Sequence, residues 1–298
     1  MELLAIPFLL LVGALLSLQS GANVQLSAAA GGAIRGSALQ LGLGAALLVV
    51  LSAIVGTPGA PGLFDDTEPW HLVGGLGSAI YITAGILLFP RLGAVVTVGL
   101  FITGQMLTSL ALDATGWLGV SEETLGAAPA IGAVAVLVGV AMIVRAQGGT
   151  SVHPVWGAFA LLAGAVLPVQ GAINAQLRAD LDAPITAGAW SFVVAAIVML
   201  VVLAATPRRQ ASPAQLGRLP WWGWLGGLCG ATYVTSVFLL IPEIGVAPTI
   251  GLTVAGQQVA SIFVDAYGLL RLPRRPVTAV RLGGVAVLLA GVVLIQAG

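Results

Sequence analysis

Polar side chains able to bind a solute are few in this sequence, and they come in matched sets. Gln19 and Asn23 stand four residues apart, so they share one helical face, and Gln170 and Asn174 repeat the spacing. Gln105, Ser109 and Asp113 form a ladder of four-residue steps, as do Gln257, Ser261 and Asp265. An amide both donates and accepts hydrogen bonds, which suits a neutral or zwitterionic solute better than a bare ion. A carboxylate ending each ladder adds a group for gating or for coupling to an ion. The competing reading keeps the amides as cross-links between helices, at roughly 0.6 kcal/mol per bond on average. In that reading each Asp is a boundary charge or the partner of an Arg.

Other chemistries find little support. His71 and His153 each stand at the start of an apolar segment with no second ligand at metal spacing, which makes them interfacial residues and leaves no metal or cofactor site. Cys229 is the single cysteine and lies in an apolar run, so no disulfide forms within one chain and a packing role fits it. With 11 basic and 11 acidic residues the net charge is zero, and nothing points to nucleic acid.

The elements that must position these residues follow from composition. The 298 residues are 58% hydrophobic and only 7% charged, with a mean hydropathy of +1.07, against roughly 25% charged residues in soluble domains. This is the composition of an integral membrane protein. A bilayer core takes about 20 apolar residues of helix to cross. Runs of that kind fall at 3–23, 34–55, 71–89, 93–113, 127–146, 154–176, 185–205, 220–241, 245–268 and 278–296. The longest connections, 56–69 and 207–219, carry Pro, Gly and charges and are too short for a soluble domain. The acidic one, with Asp65, Asp66 and Glu68, reads as a solvated loop. The first run lacks the basic flank of a signal peptide and has a near copy in the interior of the chain, so it is kept as a helix of the mature protein.

That copy reveals a duplication. A shift of 151 lays FLLLVGALLSLQSGANVQLSAA over FALLAGAVLPVQGAINAQLRAD and matches Gly13 with Gly164, Gln19 with Gln170, Asn23 with Asn174 and Gln25 with Gln176. A shift of 152 matches Tyr81 with Tyr233, Pro90 with Pro242, Gln105 with Gln257, Ser109 with Ser261 and Asp113 with Asp265. The expected organisation is all-α, ten transmembrane helices in two five-helix repeats, residues 1–150 and 151–298. An odd number of helices makes the second repeat enter the membrane from the opposite side, and inverted repeats are the architecture of secondary transporters. With the N-terminus outside, Arg178 alone faces outward. Arg35, Arg91, Arg145, Arg208, Arg209, Arg218, Arg271, Arg274, Arg275 and Arg281 face the cytoplasm, which places both termini outside the cell membrane.

The Q-x3-N-x-Q-L stretch in the first helix of each repeat and the G-Q-x3-S-x3-D stretch in the fourth resemble the YdcZ-type inner-membrane exporters, within the drug/metabolite transporter superfamily. The resemblance covers nearly the whole chain and implies a fused form of two repeats and transport by alternating access, with no implied substrate. One departure stands out. The small multidrug exporters of the superfamily use a membrane-embedded Glu in the first helix, whereas the first and sixth helices here offer only Gln and Asn, so proton-coupled cation export is not carried over on that residue.

Inversion brings Asn23, at the end of its helix, to the depth of Asp265, and Asn174 to the depth of Asp113. These read as two gate clusters with Gln105 and Gln257 lining a central cavity between them. Tyr81 and Tyr233 face that cavity or a neighbouring helix. Trp70, Trp221, Trp222 and Trp224 form an aromatic belt, and Pro168 and Pro248 mark candidate bends. An intramembrane aspartyl protease needs carboxylates about 3 Å apart, which the inversion of Asp113 and Asp265 denies, and a rhomboid-like serine protease lacks a His deep within a helix near a nucleophilic Ser, so no enzyme is expected. The expected function is secondary transport by alternating access of a small metabolite or drug-like solute, with export the direction that the family resemblance implies. The alternatives are an amide-lined channel for a small neutral solute and a non-transporting scaffold. The expected partners are the solute and the bilayer, with a coupling proton or ion and a homodimer left open.

Overall fold

The computed structural model describes residues 2–55, 64–120, 126–146, 153–206, 213–244 and 246–296, with side chains at 2–4, 213–214, 237–239, 241–248 and 296 outside the description. Among the described residues the chain is helical, and its long helices are α1 (Glu2–Ala30), α2 (Ala33–Val55), α3 (Gly75–Leu92), α4 (Ala94–Thr115), α5 (Ala127–Arg145), α6 (Pro154–Leu181), α7 (Pro184–Ala205), α8 (Leu225–Ile244), α9 (Val246–Tyr267) and α10 (Ala279–Gln296). Seven of the described helical stretches are long and apolar enough to cross a membrane. Large apolar side chains such as Leu11, Ile54 and Val201 point outward, as a lipid-facing surface requires, while Phe89, Phe101, Ile143 and Leu288 fill the interior.

Helix ends are set by backbone chemistry. Gly93, at φ 85°, separates α3 from α4, and Gly116 and Gly268, at φ 64° and 62°, end α4 and α9 in the left-handed region that glycine enters without strain. Each of these two ends runs into a short 3-10 turn, Trp117–Gly119 and Leu269–Arg271, with Leu118 and Leu270 at φ 57° and 58°. The second half thus reproduces the first down to its irregular turns. Single 3-10 turns, Pro69–Val73 and Trp221–Trp224, likewise lead into α3 and α8. The runs expected to begin at 71 and 220 therefore start their α-helix some residues later.

Two further boundaries differ from the sequence expectation. α1 continues to Ala30 and α6 to Leu181, because Ala, Leu, Gln and Arg in the following residues are strong helix formers. Asn23 and Asn174 consequently lie inside their helices and not at the ends. Pro168 sits within α6; Pro248 sits within α9, but its side chain lies outside the described residues.

Packing crosses between the halves. α1 lies against α9 and α8, α6 against α4 and α3, while α2 packs on α7 and α5 on α10. The crossings are too close for side chains. A Cβ added to Gly13 would stand 1.9 Å from the Thr253 carbonyl oxygen, and one at Gly164 would stand 2.2 Å from that of Phe101. Gly256 against Leu10 and Gly104 against Leu161 repeat the arrangement at 2.0 and 2.1 Å. Between α5 and α10 the pairs are Gly132 with Gly291 and Gly139 with Gly284. Advancing each residue by one repeat exchanges every one of these contacts with its partner. Small residues that let backbones approach are the usual basis of helix association in lipid, where no hydrophobic drive exists.

Gly13→Ala and Gly164→Ala should each lower the unfolding midpoint of detergent-purified protein, through about 1–3 kcal/mol of overpacking. Gly42→Ala and Gly171→Ala, where nothing lies within 4 Å of an added Cβ, should hold or raise it by about 0.5–1 kcal/mol through helix propensity.

Candidate functional site

The amide pairs lie where α1 meets α8 and where α6 meets α3. Asn174 donates from Nδ2 to Ser191 Oγ at 3.1 Å, and its Oδ1 is aimed at Gly74, where an added Cβ would stand only 2.1 Å away. In the other half Asn23 Oδ1 is aimed at Gly226, with a Cβ distance of 1.9 Å. One turn earlier Gln170 donates to Ser78 Oγ at 2.8 Å, and Gln19 Nε2 lies against Gly230. All four amides are buried, and Gln19 Oε1, Asn23 Oδ1, Gln170 Oε1 and Asn174 Oδ1 have no hydrogen-bond partner among the described residues. An acceptor left in this condition costs about 1–3 kcal/mol, and a glycine Cα–H contact returns only part of that.

The remaining candidates are distributed differently. Gln257 donates from its side-chain amide to the Tyr81 hydroxyl at 2.9 Å, and its backbone carbonyl accepts from Ser17 Oγ at 2.8 Å, tying α9 to α3 and α1. Tyr81 also packs its ring 4.7 Å from that of Phe101. Ser261 donates to the Gln258 carbonyl within its own helix, Gln105 is buried, and Ser109 is half-buried. Tyr233 is half-buried in α8. Asp113 is half-buried and partnered. The structure therefore brings Tyr81 and Gln257 together and sets the four amides of α1 and α6 at two separate crossings. A cleft of about 800 Å³ lies elsewhere, among α2, α3, α6 and α7. Its wall includes Arg35, Leu76, Thr83, Met199 and Val202, and none of the amides.

Asp265 is held by four groups. Its carboxylate accepts from the backbone N–H of Ala94 at 2.7 Å and of Val95 at 3.1 Å, capping the N-terminus of α4, and from Arg281 at 2.7 Å. Its carbonyl accepts from the N–H of Arg275, whose guanidinium reaches the carbonyls of Pro90 and Arg91. Both members of the ion pair are almost wholly buried. Gly93 is required beside them, because an added Cβ would stand 2.5 Å from the Arg275 side chain.

The sequence matches the family described as "Putative inner membrane exporter, YdcZ" twice, over residues 4–142 and 155–294. The chain belongs to the YdcZ family. The double match makes it the fused form, two family units in one polypeptide, and a multi-pass membrane protein of an exporter family and not of an enzyme class. A solved structure described as "Crystal structure of protein" superposes with a TM-score of 0.59 over 96% of this chain and 97% of that one, at 18% identity, which extends the likeness to the fold alone. No curated protein matches the sequence. Within this YdcZ-family chain, reading the sequence overlooked Ser78 and Ser191, the partners of the amides, and Gln40, whose Nε2 reaches the Gly226 carbonyl. It also overlooked Gln258, fully buried with neither amide atom bonded among the described residues. His71, read as solitary, is buried against Asp180.

Arg281→Ala should cut the yield of folded protein sharply, because it strands the buried Asp265 carboxylate, at about 3–5 kcal/mol. Arg178→Ala, in the last turn of α6, should leave the yield near that of the parent; size-exclusion profiles of matched membrane extracts give the comparison.

Proposed function

We propose that the protein is a secondary transporter that moves a small donor-bearing solute out of the cell by alternating access, with ten spans in two inverted five-helix repeats, residues 1–150 and 151–298. Both termini lie outside on this reading, and the arginine-rich ends of the helices face the cytoplasm. The observation that carries it is the twinned crossing, in which Asn23 and Asn174 each press an unsatisfied oxygen onto a glycine of the facing helix. Pure cross-linking would place a donor opposite each oxygen. A glycine there lets the contact close without a bond and part without losing one.

Separation of α3 from α6 uncovers Asn174 and Gln170; separation of α8 from α1 uncovers Asn23 and Gln19. Either opening presents two acceptor oxygens and their NH2 donors to a solute carrying N–H or O–H groups, such as an amine, a zwitterion or a polyol. Binding between repeats at such a site is what alternating access needs. In this reading Tyr81 with its partner Gln257, and the repeat-related Tyr233 and Gln105, line the path between the two crossings, with Ser109 and Ser261 one turn along their helices. Asp265 serves in this scheme as a fixed anchor of its helix end, and Asp113 as the matching carboxylate at the other end. A channel keeps both crossings open together, which the closed contacts at both ends disfavour.

Melting of the purified protein should rise selectively with one class in a panel of amino acids, polyamines, sugars, nucleosides and quaternary amines, by about 2.7 kcal/mol at about 100 Kd. The Asn23→Ala/Asn174→Ala double variant should keep its fold and lose that shift. Equal stabilisation of both proteins would place the binding site away from the amides.

A further inference from the structure

His71 Nδ1 and Asp180 Oδ2 stand 2.5 Å apart, joining the 3-10 turn ahead of α3 to the last turn of α6. His71 is only 6% exposed, and the Trp70 ring lies edge-on to it at 4.0 Å. Trp190 of α7 donates to the Leu72 carbonyl and packs on Phe64, closing a small apolar cluster with Leu177 and Leu181 beneath the pair. His71 lies three residues before Gly74, and Asp180 lies six residues after Asn174 on α6, so the pair sits on the same two elements as that contact. It therefore spans the seam whose parting uncovers that amide.

The matching positions in the other half are Gly223 and Ala29. Features that the fold needs recur in both halves: the glycine crossings, the amide pairs, the left-handed leucines. This pair occurs once. At the opposite end the ionic contacts are of another kind, Asp265 with Arg281 and the Arg271 guanidinium 5.7 Å from the Trp222 ring, and arginine keeps its charge at any physiological pH. Histidine is the side chain that changes charge between about pH 5 and pH 8. The ionic contacts at the opposite end thus keep their charge at any physiological pH, whereas the contact at the His71 end depends on a proton.

We propose that His71 and Asp180 form the binding site of a coupling proton, which latches α3 to α6 when bound and releases the Asn174 end when it leaves. The role in coupling rests on the transporter reading above; the latch itself does not. With the proton bound, imidazolium and carboxylate form an ion pair across the seam. Its departure to solvent leaves a neutral imidazole that offers at most one uncharged donor to the carboxylate. The other charged groups on the surrounding elements are Asp65, Asp66 and Glu68 on the segment leading into the turn, Arg178 and Asp182 near the end of α6, and Asp113 at the end of α4. α7 carries none.

The test is solute-free. A trifluoroethyl thiol label is placed on Val73→Cys in a Cys229→Ser background, and its fluorine spectrum is recorded in nanodiscs at about pH 5.5 and about pH 8. The label does not ionise. A second resonance for the parted state should grow about tenfold at the higher pH. His71→Gln should give one pH-independent spectrum, and so should Asp180→Asn, which serves if the first variant does not fold. An unchanged parent spectrum overturns the latch, as does a full pH response in either variant. A pH-dependent parent with inert variants, in a protein for which no solute is transported, would keep the latch and remove only the coupling.

Discussion

The close passage of backbone against backbone at Gly13 and Gly164 is the constraint on which the rest of the structure depends. In hydrocarbon a helix gains nothing by hiding apolar surface from its lipid neighbours, so association must come from contact density and from polar groups satisfied between helices. Removing the side chain at these positions brings α1 onto α9 and α6 onto α4. At that distance Ser17 of α1 reaches the Gln257 backbone carbonyl of α9. The duplication then delivers each crossing twice. Each glycine crossing of one half thus has its counterpart in the other.

The two halves depart from one another at several buried polar positions. Ser78 in α3 bonds Gln170, whereas the equivalent Gly230 leaves Gln19 without that partner. Gln40 takes the place of Ser191 and reaches the Gly226 carbonyl rather than the neighbouring amide. Gln258 stands where the first half has Met106, putting an unsatisfied amide on one side of the core only. Asp265 has Arg281 where Asp113 has Pro129 in the matching position. Together these give the two halves different polar chemistry, although their helices correspond.

Much of this was legible in the sequence, for identifiable reasons. Hydrophobic runs and Gly and Pro punctuation located the helices because lipid imposes a minimum length. The self-alignment exposed Gln19, Asn23, Gln170 and Asn174 because amides are rare in so apolar a chain. Helix ends were less visible, since Val24–Ala30 and Ala175–Leu181 mix polar and apolar residues but have high helix propensity. Pairings were not visible at all. His71 and Asp180 are 109 residues apart, and nothing in either local pattern records that the end of α6 folds beneath the turn before α3. The aim of the amide oxygens at Gly74 and Gly226 is equally a product of tertiary packing.

The claim that the two seams alternate is tested most directly by wedging one and measuring the other. Gly226→Trp places a large side chain against Asn23 Oδ1, where even a Cβ would stand at 1.9 Å, and so holds α8 away from α1. Electron-spin distances between labels at Trp70 and Ala179, in a chain with Cys229→Ser, then report the Asn174 seam. Alternating access requires that distribution to collapse onto its short component in the wedged protein. A distribution that is unchanged, or that lengthens together with the wedged end, would contradict the account and leave a rigid bundle or an open channel in its place.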